Sequence, residues 1–269
     1  MYIGNSTQTH KDFQTIDHES QIVLSIVKHL KTDLKTLALA VAKDDEEVQT
    51  EQEEHRIVCC LSALEFLINN DLNLAFSLKS DLVRVVLDLI SLIDVEEYDA
   101  LGEEHFLRYS IRCMASLIRG KQALDEFMKV EEGFAKLLII IDTVQDEEIV
   151  ANAFKVCKSV LRDEAAYQQV IQTYPSFGNM LVQKLDEAEN SPAIQQEASM
   201  CLKHFVRTKE AVKLIDVDYI ADIVNTAVKP ENSKLKKILQ QVLISMAKVK
   251  KYDERIREEQ ADELLELGA

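Results

Sequence analysis

At 269 residues, with 47% hydrophobic residues and a net charge of −16, the chain can bury a substantial core, yet as a whole it repels nucleic acid and anionic lipid. Three prolines and six glycines are too few for the tight turns of a β-rich fold of this size. No run of about 18 apolar residues is available to cross a membrane, and Met1 to Glu19 lacks the apolar core of an export signal, so a cytoplasmic protein is expected.

Taken in chain order, residues 1–18 form a polar N-terminal segment. Residues 19–251 form a repeat domain, and residues 252–269 an acidic capping helix. The acidic stretches Asp44 to Glu54 and Asp94 to Glu104 read as loops between helices, each solvated or docking a basic partner. Within the domain, short apolar helix ends recur. They are Ala63 to Asn69, Cys113 to Arg119, Val156 to Arg162, Cys201 to Arg207 and Leu243 to Lys250. The three arginines that close the middle copies lie 43 and 45 residues apart. A second apolar segment follows each: Leu82 to Ile90, Phe134 to Ile141, Phe177 to Leu185, Ile220 to Val228 and, more weakly, Ala261 to Leu267. Two unrelated signals keeping step over roughly 40–47 residues mark a stack of helical repeats.

Spacing within the units is helical. Ile149, Ala153, Val156, Val160 and Leu161 recur at three and four, as do Ile194, Ala198, Cys201, Leu202 and Phe205. Ser191 before Pro192 reads as a helix start, with proline at the first turn where its missing N–H costs nothing. Asn232 or Ser233 plays the same part after Pro230. Gly133 and Gly178 occupy equivalent places at the start of a last helix, where a tight bend would need a small residue.

The segment Leu117 to Ile140 resembles the armadillo pattern, in which a helix ends, a short segment leads to a small-residue bend and a Leu-rich third helix follows. The likeness covers about residues 55–250. It implies an all-α fold, a right-handed superhelical solenoid of about five armadillo- or HEAT-like repeats, with an elongated concave surface lined by the last helix of each unit. Such a solenoid binds a protein or peptide partner in a preformed groove and needs no cofactor. The partner-binding candidates, placed by repeat position, are Arg84, Asp88, Lys136, Asn179, Gln183, Asp222 and Asn225. The regular third-helix asparagines of armadillo nuclear importers are missing, Asn179 and Asn225 being the candidates for that role. Two alternatives make the chain a regulator of a nucleotide-dependent enzyme. Armadillo nucleotide-exchange factors for seventy-kilodalton heat-shock chaperones are similar in length and repeat number. The stretches Ile111 to Ile118 and Val130 to Phe134 are similar to the GTPase-binding region of formins.

Catalytic chemistry has no sequence support. The histidines are scattered, and no metal-binding His pair, nucleophile elbow or Gly-rich phosphate loop is present. His204 reads as a packed or half-exposed residue of its helix. The five cysteines, at 59, 60, 113, 157 and 201, read as small apolar residues kept reduced. Lysines 229, 234, 236, 237, 248, 250 and 251 face only Glu231, so the C-terminal unit is basic. Either the acidic capping helix offsets them or they dock an acidic partner. No aromatic residues interleave them as nucleic-acid stacking requires.

Overall fold

The computed structural model describes residues 6–43, 51–69, 71–93, 106–130, 132–188, 191–229 and 233–259. All regular structure among them is helical. The chain divides into two compact units, residues 1–136 and 137–269.

The first unit opens with the long helix α1 (Ser6–Lys43). Then come α2 (Glu51–Leu67), α3 (Asp71–Lys79), α4 (Leu82–Ser91), α5 (Phe106–Leu117) and α6 (Lys121–Lys129). Helix α7 (Gly133–Thr143) begins in this unit. Val23, Val27, Leu30 and Leu37 are buried on α1, a spacing of three, four and seven that makes one stripe. That helix packs on α2, α3 and α4. Helix α2 buries Ile57, Leu61 and Leu64, and α5 buries Phe106, Leu107, Ile111, Met114 and Leu117. The two lie side by side. Glu51, Glu53 and Glu54 were expected in a loop. They form the first turn of α2 instead, where carboxylates meet the positive end of the helix dipole. The other residues of that stretch, 44–50, and the acidic stretch 94–104 lie outside the described residues. Asp81, between α3 and α4, has φ 59°, a left-handed conformation that short polar side chains tolerate.

The second unit continues α7 and adds α8 (Glu147–Arg162), α9 (Glu164–Thr173), α10 (Phe177–Glu187), α11 (Pro192–Phe205) and α12 (Lys209–Val212). A 3-10 turn at Val217–Tyr219 leads into α13 (Ile220–Val228), followed by α14 (Ser233–Met246) and α15 (Lys250–Glu258). Each repeat is a long first helix, a short second helix and a last helix. The long ones, α8, α11 and α14, pack in succession, and α10 and α13 pack as a second row. Every position of the expected stripes on α8 and α11 is buried. Phe177 and Phe205 meet edge to face, with ring centroids 5.9 Å apart.

Starts of the short helices are written in side chains. Asp163 accepts from the Ala166 N–H, and Thr208 from the Ala211 N–H. Each satisfies an otherwise orphaned donor. Asp146 does the same for Ile149 at the head of α8. Pro192 stands in the first turn of α11 as expected, although Ser191 makes no side-chain cap. The small residue at 178 has a different cause from the one expected. A Cβ there would lie 2.6 Å from Phe205 Cε1 and 2.7 Å from Ile215 Cγ1. Close helix approach, rather than a bend, requires glycine. At Gly133 the nearest side chains, Leu87 and Phe127, would be at 3.5 Å, an ordinary contact. The expected boundary at 251/252 falls inside α15, and the Ala261 to Leu267 segment lies outside the described residues.

Candidate protein-binding surface

The residues expected to bind a partner stand on the last helices, α4, α7, α10 and α13. In the first unit Arg84 and Asp88 are exposed on α4. Partial burial raises the Asp88 carboxyl above its ordinary value, and Arg84 opposes that shift. Lys136 is half-buried, and its Nζ donates to the Ile93 carbonyl at 3.2 Å. In the second unit Asn179 Oδ1 accepts from the Asp216 N–H at 2.8 Å, and Gln183 Nε2 donates to the Tyr219 hydroxyl at 2.6 Å. Asp222 is half-exposed, with its carboxyl raised by burial and by Asp186. Asn225 is exposed. Lys136, Asn179 and Gln183 thus stitch neighbouring repeats together through hydrogen bonds. Arg84, Asp88, Asp222 and Asn225 keep their polar ends at the surface.

A different row carries the charge. Outside the buried face of α8 stand Lys155, Lys158, Ser159 and Arg162. On α11 the outward stripe is Gln196, Met200, Lys203 and His204, with Arg207 just beyond the helix end. On α14 it is Lys234, Lys237, Gln241, Ile244 and Ser245, followed by Lys248. Through Ile149–Arg162, Ala193–Arg207 and Ser233–Lys250 the sequence holds ten lysines and arginines and one acid, Glu197. Glu197 is buried and forms an ion pair with Lys158, which ties α11 to α8.

His204 sits where these cations converge. Arg162 Nε donates to His204 Nε2 at 3.3 Å, so that nitrogen is an acceptor and the imidazole is neutral. Burial first, then Arg162, Lys203, Arg207 and Lys158, push its pKa down to about 4. Arg207 lies over the Tyr167 ring, 3.7 Å from its centroid, and pairs with Glu164 at 3.0 Å. The Tyr167 hydroxyl donates to the Phe205 carbonyl at 2.9 Å and lies 2.9 Å from Thr208 Oγ1. The arginine-ended motif is therefore a junction between adjacent repeats. Arg119 Nη2 likewise donates to Asn69 Oδ1 at 2.9 Å, linking the ends of two such motifs in the first unit.

The cysteines behave as core residues or exposed helix residues. Burial pushes the Cys113 thiol up to about 12 and raises those of Cys157 and Cys201, which makes them poor nucleophiles. Cys201 Sγ donates to the Phe154 carbonyl at 3.2 Å. Among the described residues no cluster of three or more His, Cys, Asp or Glu is arranged to hold a metal ion. No described helix is long and apolar enough to span a membrane.

In the sequence the basic charge is legible at the C-terminal lysines, and nothing local joins them to Lys155, Arg162, Lys203 and Arg207. The available signal was the absence of acids along three first helices whose apolar stripes were already in phase.

No family model matches the sequence, and no curated protein does. Solved structures are similar. One is a designed armadillo repeat protein in complex with the peptide (KR)4, at a TM-score of 0.65 and 14% identity, covering 91% of this chain and 90% of that one. An engineered protein matches at a TM-score of 0.66 and 17% identity, over 91% and 87% of the two chains. SYS-1 matches at 0.62 and 13% identity, over 83% of this chain and 40% of its own. At such identities the likeness speaks for architecture alone, and the architecture is that of stacked armadillo-like helical repeats.

Proposed function

We propose that this chain is a non-enzymatic scaffold or adaptor of the cell interior that holds a protein or peptide partner against its rows of helices. The observation that carries the reading is the outer stripe of α8, α11 and α14. It is a polar, charged surface fixed in place by fully buried side chains beneath it. A preformed surface loses little conformational entropy on binding, which favours recognition without chemistry. Free buried cysteines support a reducing compartment. The peptide in the designed armadillo neighbour shows what that protein binds. It supports the same class of role for this chain.

Arg84 and Asp88 in the first unit, and separately Asp222 and Asn225 in the second, offer further polar surface on the last helices. Selection from a random peptide library on the immobilised chain, followed by cross-linking and mass spectrometry, tests the proposal and separates the faces. Binders whose cross-links fall on either row sustain the scaffold reading. A chain that selects no binder, or that turns over ester or phosphate substrates at a rate lost on heat denaturation, overturns it.

A further inference from the structure

We propose that the outer stripe of α8, α11 and α14 is a docking surface for an acidic protein segment. This rests on the scaffold reading and adds the chemistry of its partner.

Charge complementarity is the argument. The chain as a whole is strongly acidic, at −16. Such a chain has carboxylates in excess to neutralise any basic surface. Here few of them are used. Lys158 is matched by Glu197 and Arg207 by Glu164. Lys155 is held only by the neutral Asn152 carbonyl oxygen at 2.9 Å, and Arg162 by neutral His204. Lys203, Lys234, Lys237 and Lys248 have no carboxylate within ion-pair distance among the described residues. Unpaired cations gathered on one row raise the local potential and draw in an oppositely charged segment. The His204 pKa, lowered first by burial and then by Arg162, Lys203, Arg207 and Lys158, agrees with that potential.

The stripe favours protein over nucleic acid. Phosphate-tracking grooves for single strands interleave cations with aromatic rings on which bases stack. Here the residues between the cations are Gln196, Met200, Gln241, Ile244 and Ser245. Half-exposed Met200 and Ile244 give small apolar footholds beside the charges. An acidic segment with interspersed apolar side chains meets both features, whereas a polynucleotide meets only the first.

Fluorescence anisotropy with the full chain and a labelled peptide of alternating Asp and Leu tests the proposal. The acidic peptide binds, and a Lys/Leu peptide of equal length binds at least roughly tenfold more weakly. Combining Lys155→Glu with Lys203→Glu, both solvent-facing, weakens the acidic peptide roughly tenfold or more, since two exposed pairs are lost and repulsion is added. Lys155→Gln with Lys203→Gln falls between, and unchanged thermal unfolding by circular dichroism shows that the variants are folded. Equal affinity for the two peptides overturns the inference. So does undiminished binding by the folded reversal variant, or displacement of the peptide by a single-stranded RNA of higher affinity. If library-selected binders cross-link only outside α8, α11 and α14, the scaffold reading survives and this inference falls.

Discussion

The first helices of the two units share one frame and spend their charges differently. In the first unit the described cations of that row are held by side-chain partners, mostly at the surface. Arg56 bridges Asp33 and Glu53 at 2.9 and 2.8 Å. Arg112 pairs with Glu65 at 2.9 Å, and Arg119 donates to Asn69. The stripe of α2 ends in Phe66, which is 80% exposed. In the second unit one pair, Lys158–Glu197, is drawn into the packing, and the remaining cations of α8, α11 and α14 stay at the surface. The repeat fixes where a side chain points, through the buried stripe of its helix. It leaves the sign and pairing of the outer stripe open, so function varies there without disturbing the core.

The largest expected effect probes that buried pair. Lys158 and Glu197 side chains are 18% and 11% exposed, against 34% and 27% for Arg112 and Glu65. Lys158→Met strands a carboxylate in a site of low dielectric and lowers stability by about 3 kcal/mol in urea unfolding. Adding Glu197→Gln recovers most of the loss. Arg112→Met in the first unit costs about 1 kcal/mol or less. Equal costs for the two substitutions would erase the distinction between an inward and a surface pair.

The two glycines sharpen the same contrast. Gly178→Ala forces a methyl group against Phe205 and Ile215 and lowers stability by about 2 kcal/mol. Gly133→Ala meets only ordinary contacts and leaves stability unchanged or raises it by about 0.5 kcal/mol, because alanine favours a helix. Thermal unfolding of the pair decides it. If both alanine variants are neutral, α10 and α11 do not approach as closely as the geometry requires.

These glycines also show what was legible in the sequence. Their matched positions were visible, but one sits at a crowded helix contact and the other does not. Close approach depends on a residue 27 positions away, Phe205, and no local pattern reports it. Helices were legible because burial imposes a period. Ile149, Ala153, Val156 and Val160 all lie in the core as that period requires. The candidate binding residues stand on the most regular segments. Regularity there reflects packing, and Lys136, Asn179 and Gln183 duly bond to neighbouring repeats. The basic row was harder to see because its members come from three helices. Only their lateral packing turns scattered lysines into one surface.

A smaller effect is expected at Tyr167. Its hydroxyl ties the second helix of one repeat to the end of the first helix of the next. Tyr167→Phe leaves the Phe205 carbonyl without that donor and costs about 1 kcal/mol. The aromatic ring beneath Arg207 is kept. Peptide affinity is therefore preserved while the unfolding midpoint drops. A parallel fall in affinity would show that the junction hydroxyl also sets the position of Arg207.

The smallest expected effect is pH-dependent and belongs to His204. Its pKa is about 4 in the folded chain, below the ordinary imidazole value of 6.5. The unfolded chain therefore binds a proton between these values that the folded chain refuses. Stability rises with pH across that window, and it is lost as pH falls from about 6.5 toward 4. Half-exposure and salt screening reduce the contribution to about 1 kcal/mol. His204→Gln removes the titrating ring, so its stability falls less than that of the parent between pH 7 and pH 5, common carboxylate effects cancelling in the difference. The surrounding charges are Lys158 and Arg162 on α8 and Lys203 and Arg207 on or beside α11, with Glu197 paired to Lys158 and Glu164 to Arg207. An acidic segment seated among them reverses the balance and lets His204 take up a proton, so affinity for the Asp/Leu peptide tightens modestly as pH falls from 7 to 5.5. The Gln variant lacks this dependence. Equal pH profiles for parent and variant would mean that His204 does not report the potential of the basic row.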